Sequence, residues 1–167
     1  MVPTMALAGT YSRSQFGGWK DLDKDCQNTR QEILIRDAVY YVLDDTGCKV
    51  ISGSWVDPFS GKHITDPSTM DIDHLIPLHH AWDKGADEWT KAERVAFAND
   101  YNNLLAVIAS ENRSKQSRTP ANWMPANFQY WCKYVEKWVF LKGKYDLPMG
   151  DMEDTTTTMV GKSCARR

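Results

Sequence analysis

Apolar positions along the chain recur with two periods, and the breaks between them mark the elements. Thr29-x-x-Glu32 reads as a capping box that starts a helix running to about Tyr41, with Leu34, Ala38 and Tyr41 on one face. Turn signals at Asp44–Gly47 and Asp57–Gly61 bracket Cys48–Trp55, whose β-type residues predict a strand or hairpin. Met70–Leu78 predicts a short strand turning at Pro77 into a helical stretch from His79 to Lys84. A second capping box, Thr90 with Glu93, opens a helix through about Asn99. Leu104–Ala109 is strand-like, and Ser110 is the expected N-cap of a short helix, Glu111–Gln116, ending before Thr119-Pro120. Asn127–Lys142 is the clearest helix, with Phe128, Trp131, Val135, Trp138 and Val139 as the expected core stripe and Lys133, Glu136 and Lys137 opposite. Residues 1–18 read as extended. From Gly150 the periodicity stops, which predicts a loose tail over 150–167 behind a single α+β domain over 1–149.

Composition adds little to this until it is localised. With 42% hydrophobic and 25% charged residues the chain is ordinary for a globular domain, so disorder and repeat architectures are set aside. No apolar run approaches the roughly 18 residues a membrane span needs, and Met1–Thr10 lacks the basic start and apolar stretch of a signal peptide. No membrane association is expected; a mature secreted form and a phage or cytoplasmic protein remain equal readings. A net charge of −2 argues against general adhesion to nucleic acid. Between Ser110 and Lys144, however, seven Lys and Arg face only Glu111 and Glu136, so phosphate binding, if present, is local. Cys26, Cys48, Cys132 and Cys164 contain no C-x-x-C pair and allow three disulfide pairings or four reduced thiols. Cys26 with Cys48, flanking one predicted helix, is the favoured pair.

Chemistry concentrates at the end of one apolar strand, in Asp71-Ile72-Asp73-His74-Leu75-Ile76-Pro77. Residues two apart on a strand share a face, so Asp71 and Asp73 point one way and His74 the other. A metal ligand and a base placed side by side in this way can address one phosphate from two directions. Asn103 follows, and after eight intervening residues comes Asn112-Arg113-Ser114-Lys115.

The order Asp-His, Asn, eight residues, Asn-x-x-Lys resembles the HNH nucleases, including the domain of that name in RNA-guided CRISPR enzymes. Tyr11-Ser12-Arg13, Cys26, Thr29-Arg30-Gln31-Glu32, Gly53–Pro58 and Tyr130-Trp131-Cys132 extend the likeness, over about residues 11–147, to small, often secreted or phage-borne HNH endonucleases. The resemblance implies a ββα-metal core over 70–118, flanked by helices and a small hairpin. It implies that His74 is the general base and that Asn103 holds its loop or ring. Asp73 and Asn112 would bind one divalent ion, Mg²⁺ first and Mn²⁺ among the alternatives, with Asp71 as support. Arg113 or Lys115, and Arg30, are the implied phosphate contacts; for Arg30 an ion pair with Glu32 or Asp37 is the alternative. The substrate would be DNA, with RNA also open, and the protein a monomer. His79-His80 departs from the family pattern, which has an alanine and then an acidic residue there; the pair reads as surface histidines or as extra metal ligation.

Two further readings stand beside this one. The motif would be a folded remnant in a catalytically idle nucleic-acid-binding or protein-interaction module, or the chain a secreted, disulfide-stapled binding domain. Separately, Asp21-x-Asp23-x-Asp25 with Glu32 at the twelfth place echoes an EF-hand loop, although Cys26 stands where that loop needs Gly. A solvated acidic loop is the default there.

Overall fold

The first helix is capped one residue earlier than the sequence pattern suggests. In the computed structural model, which describes residues 9–166, Asn28 accepts a hydrogen bond from Gln31 N and starts α1 (Thr29–Asp37). Thr29 is buried and its hydroxyl donates to Asn99 Oδ1 at 2.7 Å, so tertiary contact takes it from the capping role. Helix α1 also stops early. Tyr40 and Tyr41, expected in its last turn, belong to strand β1 (Tyr40–Leu43), because two tyrosines, a valine and a leucine pair antiparallel with β2 (Val50–Val56), Tyr40 opposite Ser54. Strand β3 (His63–Ile64) completes this sheet in the order β1-β2-β3. Gly53 is required within it: a Cβ there would lie 2.6 Å from Tyr40 O and 2.5 Å from the Trp55 ring.

The second sheet is the antiparallel pair β4 (Met70–His74) and β5 (Leu104–Ile108), with Asp71 opposite Val107, Asp73 opposite Leu105 and His74 opposite Leu104. Both faces are covered. Met70, Ile72, Leu104 and Ala106 join a cluster with Ile33, Leu34 and Trp55. Leu105 and Val107 join a larger one with Phe16, Phe59, Phe97, Tyr134 and Trp138. Between the strands lie α2 (Leu78–Ala81), a wide helical turn over Trp82–Ala86, and α3 (Lys91–Ala98), which has the expected Thr90–Glu93 box. Strand β5 runs directly into α4 (Ala109–Lys115), so Ile108 rather than Ser110 is the N-cap residue. Asp57, fully buried, accepts from Ile108 N at 3.0 Å and from Ser60 N at 2.7 Å, tying the β2–β3 turn to this junction.

Helix α5 (Trp131–Lys144) buries Tyr134, Val135, Trp138, Leu141 and Lys142. Of the expected stripe only Val135 and Trp138 are buried, and Phe128, Trp131 and Val139 are exposed. The reason is the partner: α6 (Asp151–Cys164) packs on α5 where the sequence pattern predicted a loose tail. Its fixing groups are too sparse to show as periodicity: Glu153, Thr157 and the Cys132–Cys164 disulfide. The other cysteines pair as Cys26–Cys48, so no free thiol remains. Among the described residues no helix is long and apolar enough to cross a membrane.

Candidate active site

Strand β4 delivers Asp73 and His74 to the floor of an open cleft of about 240 Å³, whose lining also includes Asn112 from α4 and Tyr11 and Arg13 from the N-terminal segment. The His74 ring is held on two sides. Its Nε2 lies 2.9 Å from Ala98 O, a carbonyl that can only accept, so Nε2 carries the proton and Nδ1 is the nitrogen left to take one. Trp19 stacks on the ring at a centroid distance of 5.4 Å and 10°. Burial pushes the His74 pKa down to about 3, and the charges of Arg13 and Lys115 add to the pull, so the imidazole is neutral at physiological pH.

Asn103, fully buried, clamps the turn that leaves β4. Its Oδ1 accepts from Ile76 N at 2.8 Å, its Nδ2 donates to Ile76 O at 3.3 Å, and its carbonyl accepts from Leu75 N at 2.7 Å. The Asn112 amide donates through Nδ2 to Asp71 Oδ2 at 3.1 Å, which leaves its carbonyl oxygen as the free end. Lys115, reached by the same helix, has no solvent exposure. Its Nζ donates to Asp73 Oδ1 at 2.9 Å and to His74 O at 2.8 Å. Burial pushes the Asp73 carboxyl up and the Lys115 ammonium down, and each charge partly restores the other. Asp73 Oδ2 is buried with no hydrogen-bond partner among the described residues.

The structure therefore brings Asp73, His74 and Asn112 to one cleft, with Asn103, Asp71 and Lys115 arranged around them. Arg30 and Arg113 stand apart. Arg30 donates to Met70 O at 2.9 Å and Pro67 O at 3.3 Å, holding the chain ahead of β4 rather than pairing with Glu32 or Asp37. Arg113 is exposed outside the cleft lining. The two histidines of the departure separate. His79 is exposed, stacks on Tyr11 at 4.3 Å and lines the cleft. His80 is not a surface histidine: it is buried, its Nε2 accepts from Lys142 Nζ at 2.8 Å, and burial lowers its pKa to about 4.

Sequence reasoning assigned no role to Arg13 or Trp19. The Tyr11-Ser12-Arg13 run was legible as a likeness, but nothing in its spacing says that it folds over His74. The acidic triplet does gather: Asp21, Asp23 and Asp25 offer oxygens within 4.8 Å of one another, all exposed. Glu32 is engaged elsewhere, as acceptor for the Tyr101 hydroxyl. Cys26, in the position that needs Gly, adopts φ 77°.

Comparison with known proteins gives this arrangement a family. A protein of Arthroderma benhamiae, described as an uncharacterized secreted protein, is 38% identical over 156 residues, covering 92% of this chain and 76% of that one. No solved structure matches the chain. The model of the GmrSD restriction endonucleases, C-terminal domain, matches residues 19–151, a span that holds Asp73, His74, Asn103, Asn112 and Lys115. With most of its length inside that match, the chain belongs to the family of GmrSD restriction endonuclease C-terminal domains.

Proposed function

We propose that the chain is a metal-dependent endonuclease that hydrolyses DNA phosphodiester bonds with a ββα-metal core made of β4, β5 and α4. The observation that carries this reading is the meeting, in one cleft, of a neutral imidazole and a buried carboxylate oxygen with no partner. An orphaned buried acceptor costs about 1–3 kcal/mol. The cost is understandable if the acceptor's partner is a cation that this fold holds in use. Asp73 Oδ2 and the free carbonyl oxygen of Asn112 are hard oxygen donors suited to Mg²⁺ or Mn²⁺. When bound, such an ion would stabilise the negative charge that builds on the attacked phosphate and on the leaving oxygen.

The protein's own groups do the rest. His74 takes the proton of the attacking water at Nδ1, while the bond from Nε2 to Ala98 O fixes the tautomer and stabilises the cation that forms. Asn103 keeps the exit turn of β4 from shifting, and with it the direction of the imidazole. Lys115 neutralises Asp73 and pins the His74 carbonyl, which makes it a positioning group rather than a phosphate contact. Secretion fits the two disulfides, which persist in oxidising compartments, and the description of the fungal relative.

An idle binding module draws on one observation, that Lys115 already balances Asp73. Plasmid cleavage with Mg²⁺, with Mn²⁺ and with EDTA, beside His74→Ala, separates the two readings. Metal-dependent nicking that falls about 10²–10⁴-fold in the variant is expected for a lost general base; no cutting with any metal would sink the nuclease reading.

A further inference from the structure

We infer that Arg13 is the phosphate-binding cation of this cleft, an inference that rests on the nuclease reading above. The three cations that sequence spacing nominated are placed otherwise: Lys115 under Asp73, Arg30 on backbone carbonyls, and Arg113 outside the lining. Among the described residues Arg13 is the only Lys or Arg that lines the cleft. It also lines a smaller hollow on the Trp19 side of the same imidazole, so its side chain spans the space above His74. No described carboxylate lies within ion-pair distance of it.

Its placement is built in. Arg13 opens a 3-10 turn, Arg13–Phe16, closed by Gln15, whose Oε1 accepts from Ser12 N at 3.0 Å while its own N donates to Ser12 O at 3.0 Å. In such a turn residues three apart lie above one another. Phe16 is fully buried against Phe97 and Trp82, so anchoring it fixes where Arg13 projects. The chain then reverses at Gly17, φ 70°, and brings Trp19 onto the imidazole. The segment thus holds the general base from one side and sets a guanidinium over it. A planar, permanently charged fork with its donors free suits two oxygens of one phosphodiester. With Asp73 balanced by Lys115, an anionic backbone entering the cleft meets Arg13 as its one unspent protein cation among the described residues.

Two readouts test this. The first is cleavage kinetics of Arg13→Ala, Arg13→Lys and, as an unrelated surface control, Lys91→Ala, with melting curves confirming that each folds. The second is anisotropy of a short fluorescein-labelled DNA duplex in EDTA, across a salt series, with Arg13→Ala placed in a His74→Ala background. Loss of one charge-assisted contact predicts a fall in kcat/KM of about 10- to 100-fold, partly restored by lysine. The slope of log affinity against log salt should shrink by about one, which a merely structural role would not produce. If the unaltered chain cuts and Arg13→Ala matches it in both kcat/KM and salt slope, the assignment is overturned while the nuclease reading stands. If the unaltered chain neither cuts nor binds DNA, both fall together.

Discussion

Lys115 meets Asp73 at 2.9 Å and Lys142 meets Glu153 at 3.0 Å, and all four side chains are almost wholly removed from solvent, yet the two pairs end differently. Around Glu153 every oxygen is used. Trp138 Nε1 and Lys142 Nζ donate to Oε1, Gly150 N donates to Oε2 at 3.1 Å, and the spare Lys142 protons reach His80 Nε2 and Pro148 O, each at 2.8 Å. Around Asp73 one oxygen is left over. A buried pair that satisfies all its neighbours is a fastener; here it holds α6 to α5 and to the helix that follows the site. Asp73, which lines the cleft, instead keeps one acceptor without a partner among the described residues, and that is stability forgone at a candidate site.

The largest contrast between Asp73→Ala and Glu153→Ala is therefore expected in cutting rather than in stability. Each variant strands a buried lysine, Lys115 or Lys142, and each should cost about 3–5 kcal/mol in urea unfolding. Per folded molecule, Asp73→Ala should lower metal-dependent cutting by about 10²–10³-fold, the range for losing a preorganised electrostatic group, while Glu153→Ala should cut normally. Equal cutting per folded molecule in the two variants would erase the distinction.

Next in size is the covalent part of the fastener. Replacing Cys132 and Cys164 together by serine opens a loop of 32 residues' separation. It should cost about 2–4 kcal/mol, and limited proteolysis should then attack the α6 segment before β4–β5. If the β4–β5 segment is nicked first, α6 is not the separable piece.

The smallest effect is on pH. His80 is neutral when folded, with its pKa lowered to about 4 by burial, and protonates near 6.5 when unfolded. Below about 6.5 the unfolded chain therefore binds more protons than the folded one, so stability falls as pH drops from about 6.5 towards 4 and is flat above. His74, lowered to about 3, adds loss of the same sign over a longer range. Thermal melts between pH 7 and 4 should show the slope, and His80→Gln should reduce it; an unchanged slope would mean that other groups carry it. For the same reason the acid limb of kcat/KM should lie well below pH 6.5, because His74 stays a competent base there.

The grouping of the candidate site residues was legible in the sequence because it is local. Asp73 and His74 are neighbours, Asn103 stands at the start of the partner strand, and Asn112 lies one helix away, so a hairpin-like pair followed by a helix brings them together. The Thr90–Glu93 box and the Cys26–Cys48 pair were legible on the same ground. Misreadings fell where a distant partner decides. Tyr40–Leu43 carries residues that a helix or a strand can use, and pairing with Val50–Ser54 settles it. The α5 stripe shifts because α6 arrives from beyond Gly150, and α6 itself is fastened by one disulfide and one glutamate, which leave no period.

By itself, then, the sequence determined the chemistry on offer: which carboxylate, imidazole and amides stand at the end of one strand and the start of one helix, at spacings that short-range geometry turns into proximity. Only the tertiary structure decided which charges are spent and which are free. Lys115, Arg30 and Arg13 are all basic side chains near the motif, but one is buried against Asp73, one is tied to backbone carbonyls and one is left over the cleft. Charge is a property of the residue, whereas availability depends on burial and on the partners that chain folding brings from far away.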